Sequence, residues 1–236
     1  MVDSNGRLVA GPLRRGAPYC MFHARPFTYF PAVPMGPLVI LLIDLETTGT
    51  SVGHCRIVEL AAAQAFDPAE LPGACFAQVV RVPAEVLQKP EAQAAAAVHR
   101  ISEIEIETSR SFPSVWAMFL DFVERLLNDC VQDDSDSEQD QSVPTRMPDE
   151  PPVLVLAAHN GYRFDFAVLL AEIIRHELSL SPLRRWLFVD TLSILDATKD
   201  VVGTCLKLQC LVRHNASPKD LRAHRATRLH VCAIHN

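Results

Sequence analysis

The chain has 236 residues, 49% of them apolar and 21% charged, with a formal net charge of −6. That is globular composition and length enough for one domain with a sizeable core, and no apolar run is long enough to cross a bilayer. The charge is concentrated: residues 131–150 hold seven acids against the single base Arg146, while 21 acids and 21 bases balance over the rest. The seven cysteines include no Cys-x-x-Cys pair, and Cys205 and Cys210 are too far apart for a zinc knuckle. Free thiols in a reducing compartment are expected. Asp3, Asn5, Arg14 and Arg15 interrupt the start of the chain, so no secretory signal is expected and the chain reads as intracellular, nucleus or cytoplasm open.

In chain order, residues 1–36 mix Gly, Pro, Arg and aromatics without period and read as a poorly ordered leader. Pro37–Asp44 is a continuous apolar run of strand length, as in a strand buried on both faces. Arg56–Phe66 and Cys75–Val82 read as two strands of a hairpin, with Asp67-Pro68 and Leu71-Pro72-Gly73 turning between them. Ser114–Leu127 is an amphipathic helix with Val115, Phe119, Phe122, Val123 and Leu126 on one face, Ser111 as its cap and Pro113 in its first turn. Residues 131–152, acidic and free of aromatics, read as a disordered surface insertion. Val153–Ala158 is a short strand, Phe164–Leu178 a helix, Trp186–Val189 a strand, and Asp190-Thr191 opens another helix. Cys205–His214 and Asp220–Leu229 read as further helices, and 231–236 as an irregular tail. This order predicts an α/β layered domain, residues 37–230, around a mixed sheet.

Three segments carry chemistry. In Ile43-Asp44-Leu45-Glu46-Thr47-Thr48-Gly49, the strand period of two puts Asp44 and Glu46 on one face at the end of the apolar run. Two carboxylates that close repel unless a cation sits between them, and a hard divalent ion is the natural one. Thr47, Thr48 and Gly49 then let the backbone turn tightly beside a ligand. In Ala158-His159-Asn160-Gly161-Tyr162-Arg163-Phe164-Asp165-Phe166, a strand ends, a glycine turn follows, and Asp165 begins a helix. Taken alone, Asp165 is an ordinary helix-start acid, and His159 a polar residue satisfied at the strand end. Asn160 is placed to bond a strand end or a substrate. The third segment, Ala223-His224-Arg225-Ala226, is unremarkable in a chain with nine histidines.

In this order the three segments resemble the exonuclease motifs of the DEDDh superfamily, which has the ribonuclease H-like three-layer α/β fold with a central mixed sheet. Val98-His99-Arg100-Ile101-Ser102, Val189-Asp190-Thr191-Leu192 and Leu206–Leu211 resemble lesser family features, and the likeness spans about residues 38–228. The string from His159 to Phe166 is most similar to the three-prime repair exonucleases and to the nuclease-like C-terminal domain of a promyelocytic leukaemia protein isoform. The resemblance implies that Asp44, Glu46 and Asp165 hold two Mg²⁺ or Mn²⁺ ions and that His224 is the general base. It implies that Leu45, Thr47, Thr48, Gly49 and Asn160 meet the substrate, the 3′ end of DNA or RNA. The product is a nucleoside 5′-monophosphate, and no sequence specificity is expected. The neutral body is no obstacle, since a groove needs only local positive charge.

The sequence also departs from that pattern. The family places a fourth acid five residues after the histidine, where Leu229 stands, and no acid follows Asp220. Asp220 lies four residues before His224, on the wrong side, and His230 is a poor substitute for a hard ion that prefers oxygen. The loss of pattern after Ala226 reads as a truncated or alternatively spliced end. His99 is expected to be structural. Arg100 stands where the family has glycine, which argues against a tight turn there. A 3′→5′ exonuclease impaired at its last ligand is the leading reading. A catalytically inactive module that binds nucleic acid or protein is the second, and a phosphodiesterase for small nucleotides the third. No membrane partner is expected, and the sequence leaves the oligomeric state open, a homodimer included.

Overall fold

In the computed structural model, the residues described are 36–65, 74–132 and 151–197. The leader, the turns at 67–68 and 71–73, most of the acidic insertion, the helices expected at 205–214 and 220–229, and the tail lie outside them. So do His224 and Leu229.

Five strands form one mixed sheet in the order β3-β2-β1-β4-β5. Strand β1 (Leu38–Thr47) pairs antiparallel with β2 (Ile57–Gln64), which pairs antiparallel with β3 (Cys75–Val79). On its other side β1 runs parallel to β4 (Val153–Ala158), and β4 parallel to β5 (Leu187–Asp190). The ribonuclease H-like α/β arrangement expected from the motifs is therefore the one observed. Strand β1 is longer than its apolar run, because pairing with β2 continues from Leu41↔Gln64 to Thr47↔Ile57. Asp44 and Glu46 thus stand inside the strand rather than beyond it, with a register shift between Glu46 and Thr47.

Alternation sorts β1 into two faces. Val39, Leu41, Ile43 and Leu45 join the main core, while Leu38 and Ile40 are exposed. Helix α4 (Phe112–Gln132) covers the core face with Val115, Phe119, Phe122, Val123 and Leu126, the stripe read from its period. Phe119 meets Phe76 edge-on, with ring centroids 5.4 Å apart. The Ser111 hydroxyl meets that of Ser114 at 3.1 Å, and the Ser111 carbonyl accepts Val115 N–H at 3.0 Å. Helix α5 (Asp165–Arg175) is shorter than expected and buries Phe166, Val168, Leu169 and Ile173. A 3-10 turn, Pro182–Arg185, precedes β5, and α6 (Thr191–Ala197) follows it.

Three short helices fill the span between β3 and α4: α1 (Ala84–Leu87), α2 (Pro90–His99) and α3 (Glu103–Thr108). The sequence shows no apolar stripe for α2, and Ala92 is its one buried residue. Arg100 caps α2 with φ 61°, so the tight turn is made despite the missing glycine. A side chain there carries a penalty of about 1 kcal/mol. His99 is structural, as expected: its Nδ1 accepts Ile101 N–H at 3.0 Å, and burial pulls its pKa down. Among the described residues, Cys55, Cys75 and Cys130 are free thiols, and no helix is long and apolar enough to cross a membrane.

Candidate functional site

In an open α/β sheet, ligands settle in the crevice at the carboxyl ends of parallel strands where the chain order reverses. Here the parallel neighbours are β1 and β4: β1 carries Asp44 and Glu46, and the turn after β4 leads to Asp165 at the start of α5. Asp44 and Glu46 project from the face of β1 opposite the main core. Their cross-strand partners on β2 are Ala61 and Glu59. Both are buried, and Glu59, at 6% exposure, adds a third carboxylate to that face.

Asp165 reaches the same place from α5. The last β1–β4 pair is Leu42↔Ala157, so Leu45 N–H extends past the end of β4. Asp165 Oδ1 accepts it at 3.2 Å, which carries a carboxyl group 120 residues away in sequence to the backbone between Asp44 and Glu46. The electrostatics record the same convergence. Burial, then the charges of Asp44, Glu59 and Asp165, push Glu46 up to about 7. Burial, then Asp44 and, more weakly, Asp190, push Asp165 up to about 7, against the pull of its own N–H and that of Leu45.

Two carboxyl groups that hold protons near neutrality form an anionic locus short of positive charge. Its donors are oxygens, the chemistry of Mg²⁺ or Mn²⁺, and a bound cation would displace those protons. The locus is not a finished cage: among the described residues no three His, Cys, Asp or Glu side chains are set to hold a metal ion. One oxygen of Asp165 is taken by Leu45 N–H. The donor set fits a divalent ion, and among the described residues the coordination shell is not preassembled.

The expected substrate residues surround this locus in different ways. The side chain of Leu45 is buried in the core, and its N–H is taken by Asp165. Thr47 and Thr48 are buried, and their hydroxyls serve the loop itself. Thr47 Oγ1 donates to Gly49 O at 2.7 Å, and Thr48 Oγ1 accepts Arg56 N–H at 2.9 Å. Gly49 has φ 156°. Asn160 takes φ 62°, and its carbonyl accepts Arg163 and Phe164 N–H, each at 3.1 Å. Its side-chain amide makes no hydrogen bond among the described residues. Gly161 is obligatory, since a Cβ there would stand 2.6 Å from Phe166 and 2.8 Å from Ala158. His159 Nδ1 meets Thr191 Oγ1 at 3.3 Å, at the end of β4.

Two further acids gain weight in the structure: Asp190, which the sequence marks only as a lesser motif feature, and Glu172, which sequence reasoning missed. Asp190, at the end of β5, is buried and accepts three backbone N–H groups: Asn160 at 2.9 Å, Tyr162 at 3.2 Å and Leu192 at 2.9 Å. It shapes the turn that delivers Asp165. Glu172 is 1% exposed on α5 and pairs with Arg56, Arg175 and His176. Its signal was there to read: an acid at 172 continues the stripe of Val168, Leu169 and Ile173 where a core residue belongs.

Residues 41–154 match a protein-family model described as Exonuclease. No curated protein matches the chain. Among solved structures, Escherichia coli exonuclease I in complex with a dT13 oligonucleotide is similar at 16% identity and TM-score 0.53, covering 84% of this chain and 39% of that one. An ExoI/SSB-Ct complex is similar at 17% identity and TM-score 0.55, covering 84% of this chain and 40% of that one. The zinc ion bound form of an E. coli ExoI–ssDNA complex is similar at 17% identity and TM-score 0.51, covering 76% and 35%. At that identity the likeness is one of fold, and the chain spans about two fifths of the exonuclease I chain. The matched segment is thus similar to an exonuclease family, and the sheet order and the solved structures give the chain a ribonuclease H-like fold.

Proposed function

We propose that the chain is a metal-dependent 3′→5′ exonuclease of the DEDDh type, releasing nucleoside 5′-monophosphates from the 3′ end of DNA or RNA. The observation that carries this reading is the meeting of Asp165 with Asp44 and Glu46 across 120 residues, through Leu45 N–H. Asp44, Glu46 and Asp165 would hold two Mg²⁺ or Mn²⁺ ions. Once bound, those ions would make a water nucleophilic near neutral pH and offset the charge that grows on the phosphate in the transition state.

The chain's own residues do the rest. Leu45 N–H orients the Asp165 carboxylate. Asp190 holds the 160–162 turn, so that α5 starts where its first residue reaches β1. The backbone turn at Thr47, Thr48 and Gly49 would line the seat of the terminal nucleotide; the threonine hydroxyls, Thr48 N–H and Gly49 O are engaged in holding the loop itself. Asn160, whose side-chain amide makes no hydrogen bond among the described residues, would meet the substrate. His224, carried over from the motif, takes the proton of the attacking water; an imidazole titrates in the right range. The exonuclease I structures bound to oligonucleotides support a nucleic-acid substrate for this fold.

Purified chain with Mn²⁺ and a 3′-labelled single strand is expected to release mononucleotides, and Asp44→Ala to abolish the release. Equal release by both proteins would mean a contaminant and would end the enzymatic reading. One observation favours a second reading: Leu229 stands where the superfamily places its fourth acid. A missing carboxylate weakens metal binding, and even changes behind a ligand lower affinity or activity about 10–100-fold. Binding of the strand without cleavage in the same assay would mark an inactive nucleic-acid-binding module.

A further inference from the structure

The loop of residues 48–56 leaves the sheet directly after the acidic pair, and its ends are tied together. Thr48 N–H donates to Arg56 O, and Arg56 N–H donates to Thr48 Oγ1, both at 2.9 Å. The same loop is tied to α5. Arg56 Nε donates to Glu172 Oε1 at 2.7 Å, Arg175 pairs with that oxygen too, and Arg175 reaches Gly53 O at 3.4 Å. His176 Nε2 lies 3.3 Å from Glu172 Oε2 and 3.0 Å from Arg56 NH2. Glu172 is 1% exposed, while Arg56 and Arg175 keep 17% and 29%. A carboxylate that deep needs partners around it, and removing one member of such a set is far costlier than never building it.

A buried acid in the second half of α5 thus fixes both the end and the middle of the loop that follows Asp44 and Glu46. The first residue of the same helix is Asp165. One rigid element therefore sets the third acid and the loop beside the other two.

We propose that Glu172 is a positioning residue: through Arg56 and Arg175 it holds Thr48 and Gly49 in the conformation that seats the terminal nucleotide. This rests on the proposed function of the site. The clamp touches neither the acids nor the reacting phosphate, so its loss falls on substrate binding before it falls on turnover.

Glu172→Gln keeps the side-chain volume and removes the charge. KM for the labelled strand is expected to rise about tenfold, as a misplaced seat far from the chemistry can do. Turnover is expected to stay within about twofold, and amide hydrogen exchange at residues 48 and 56 to quicken at least about tenfold, with Leu45, held by Asp165, unchanged. Arg175→Met loses only the Gly53 contact and one partner of Glu172. It is expected to show the same pattern at smaller size, and it decides the matter if Glu172→Gln does not fold. Unchanged exchange at 48 and 56 overturns the clamp. Faster exchange with an unchanged KM, or a fall in kcat in place of a rise in KM, overturns the positioning role. A wild type that cleaves nothing defeats the proposed function alone; Kd for the strand then takes the place of KM, and an unchanged Kd overturns the positioning role in the same way.

Discussion

Asp165→Asn is the most informative single change, because it separates charge from shape. The asparagine Oδ1 can still accept Leu45 N–H, so the start of α5 keeps its place. The lost charge is the one that burial and Asp44 oppose. Asp165 is 5% exposed, and its pKa is pushed from 3.8 to about 7. At about 1.4 kcal/mol per unit, that shift sets a ceiling of roughly 4 kcal/mol on the destabilisation that the ionised group brings at about pH 8. The direction follows from proton binding. The folded chain holds this proton more tightly than the unfolded one, so the stability contributed by the protonated acid is lost as pH rises from about 4 through about 7. In chelator at about pH 8, Asp165→Asn is therefore expected to be more stable than wild type by up to roughly 4 kcal/mol, and at about pH 5 by less than half of that. Urea unfolding followed by fluorescence reads both differences. Added Mg²⁺ is expected to raise the wild-type midpoint and to do much less for the variant, since a ligand stabilises only the state it binds. A variant that is less stable than wild type at the higher pH in chelator would refute the reasoning: the carboxylate would then be a stabilising partner, not a strained ligand awaiting a cation.

Other perturbations follow from the same structure. Arg100→Gly relieves a left-handed side chain at the end of α2 and is expected to raise stability by about 1 kcal/mol in the same denaturation assay. Gly161→Ala drives a methyl into Phe166 and Ala158 and is expected to lose about 1–3 kcal/mol, with exonuclease activity falling as the turn before Asp165 shifts. Asp190→Ala strands three backbone N–H groups in a buried turn; a loss of roughly 3 kcal/mol is expected, measured by urea midpoint. A neutral outcome at 161 or 190 would show that the turn does not shape the site.

Much of this architecture was legible in the sequence where one periodicity spoke alone. The apolar run from Pro37, the stripe of the helix at 114–127 and the strand at 153–158 each met one interpretation, and each formed. Strand β1 ran past its apolar residues because β2 offered partners up to Ile57, a tertiary fact that no local pattern carries. The alanines of α2 favour helix without marking a face, and the helix lies largely exposed, so periodicity had nothing to detect. At the site, the shared face of Asp44 and Glu46 followed from strand geometry alone. The arrival of Asp165 did not: spacing was silent, and only the likeness of three motifs joined it to the other two. Glu172 went unread and Asp190 stood only as a lesser motif feature, because their worth lies in partners the fold brings in: Arg56 just before β2, the 160–162 turn and the start of α6.

Asp44, Glu46 and Asp165 are proposed to act together as one divalent-cation site. Mn²⁺ binding, followed by paramagnetic resonance or calorimetry on wild type and on Asp44→Asn, Glu46→Gln and Asp165→Asn, tests it most directly. Saturable binding that releases protons near neutral pH, and that weakens sharply in each of the three variants, is the predicted result. Binding of equal strength in wild type and all three variants would contradict it.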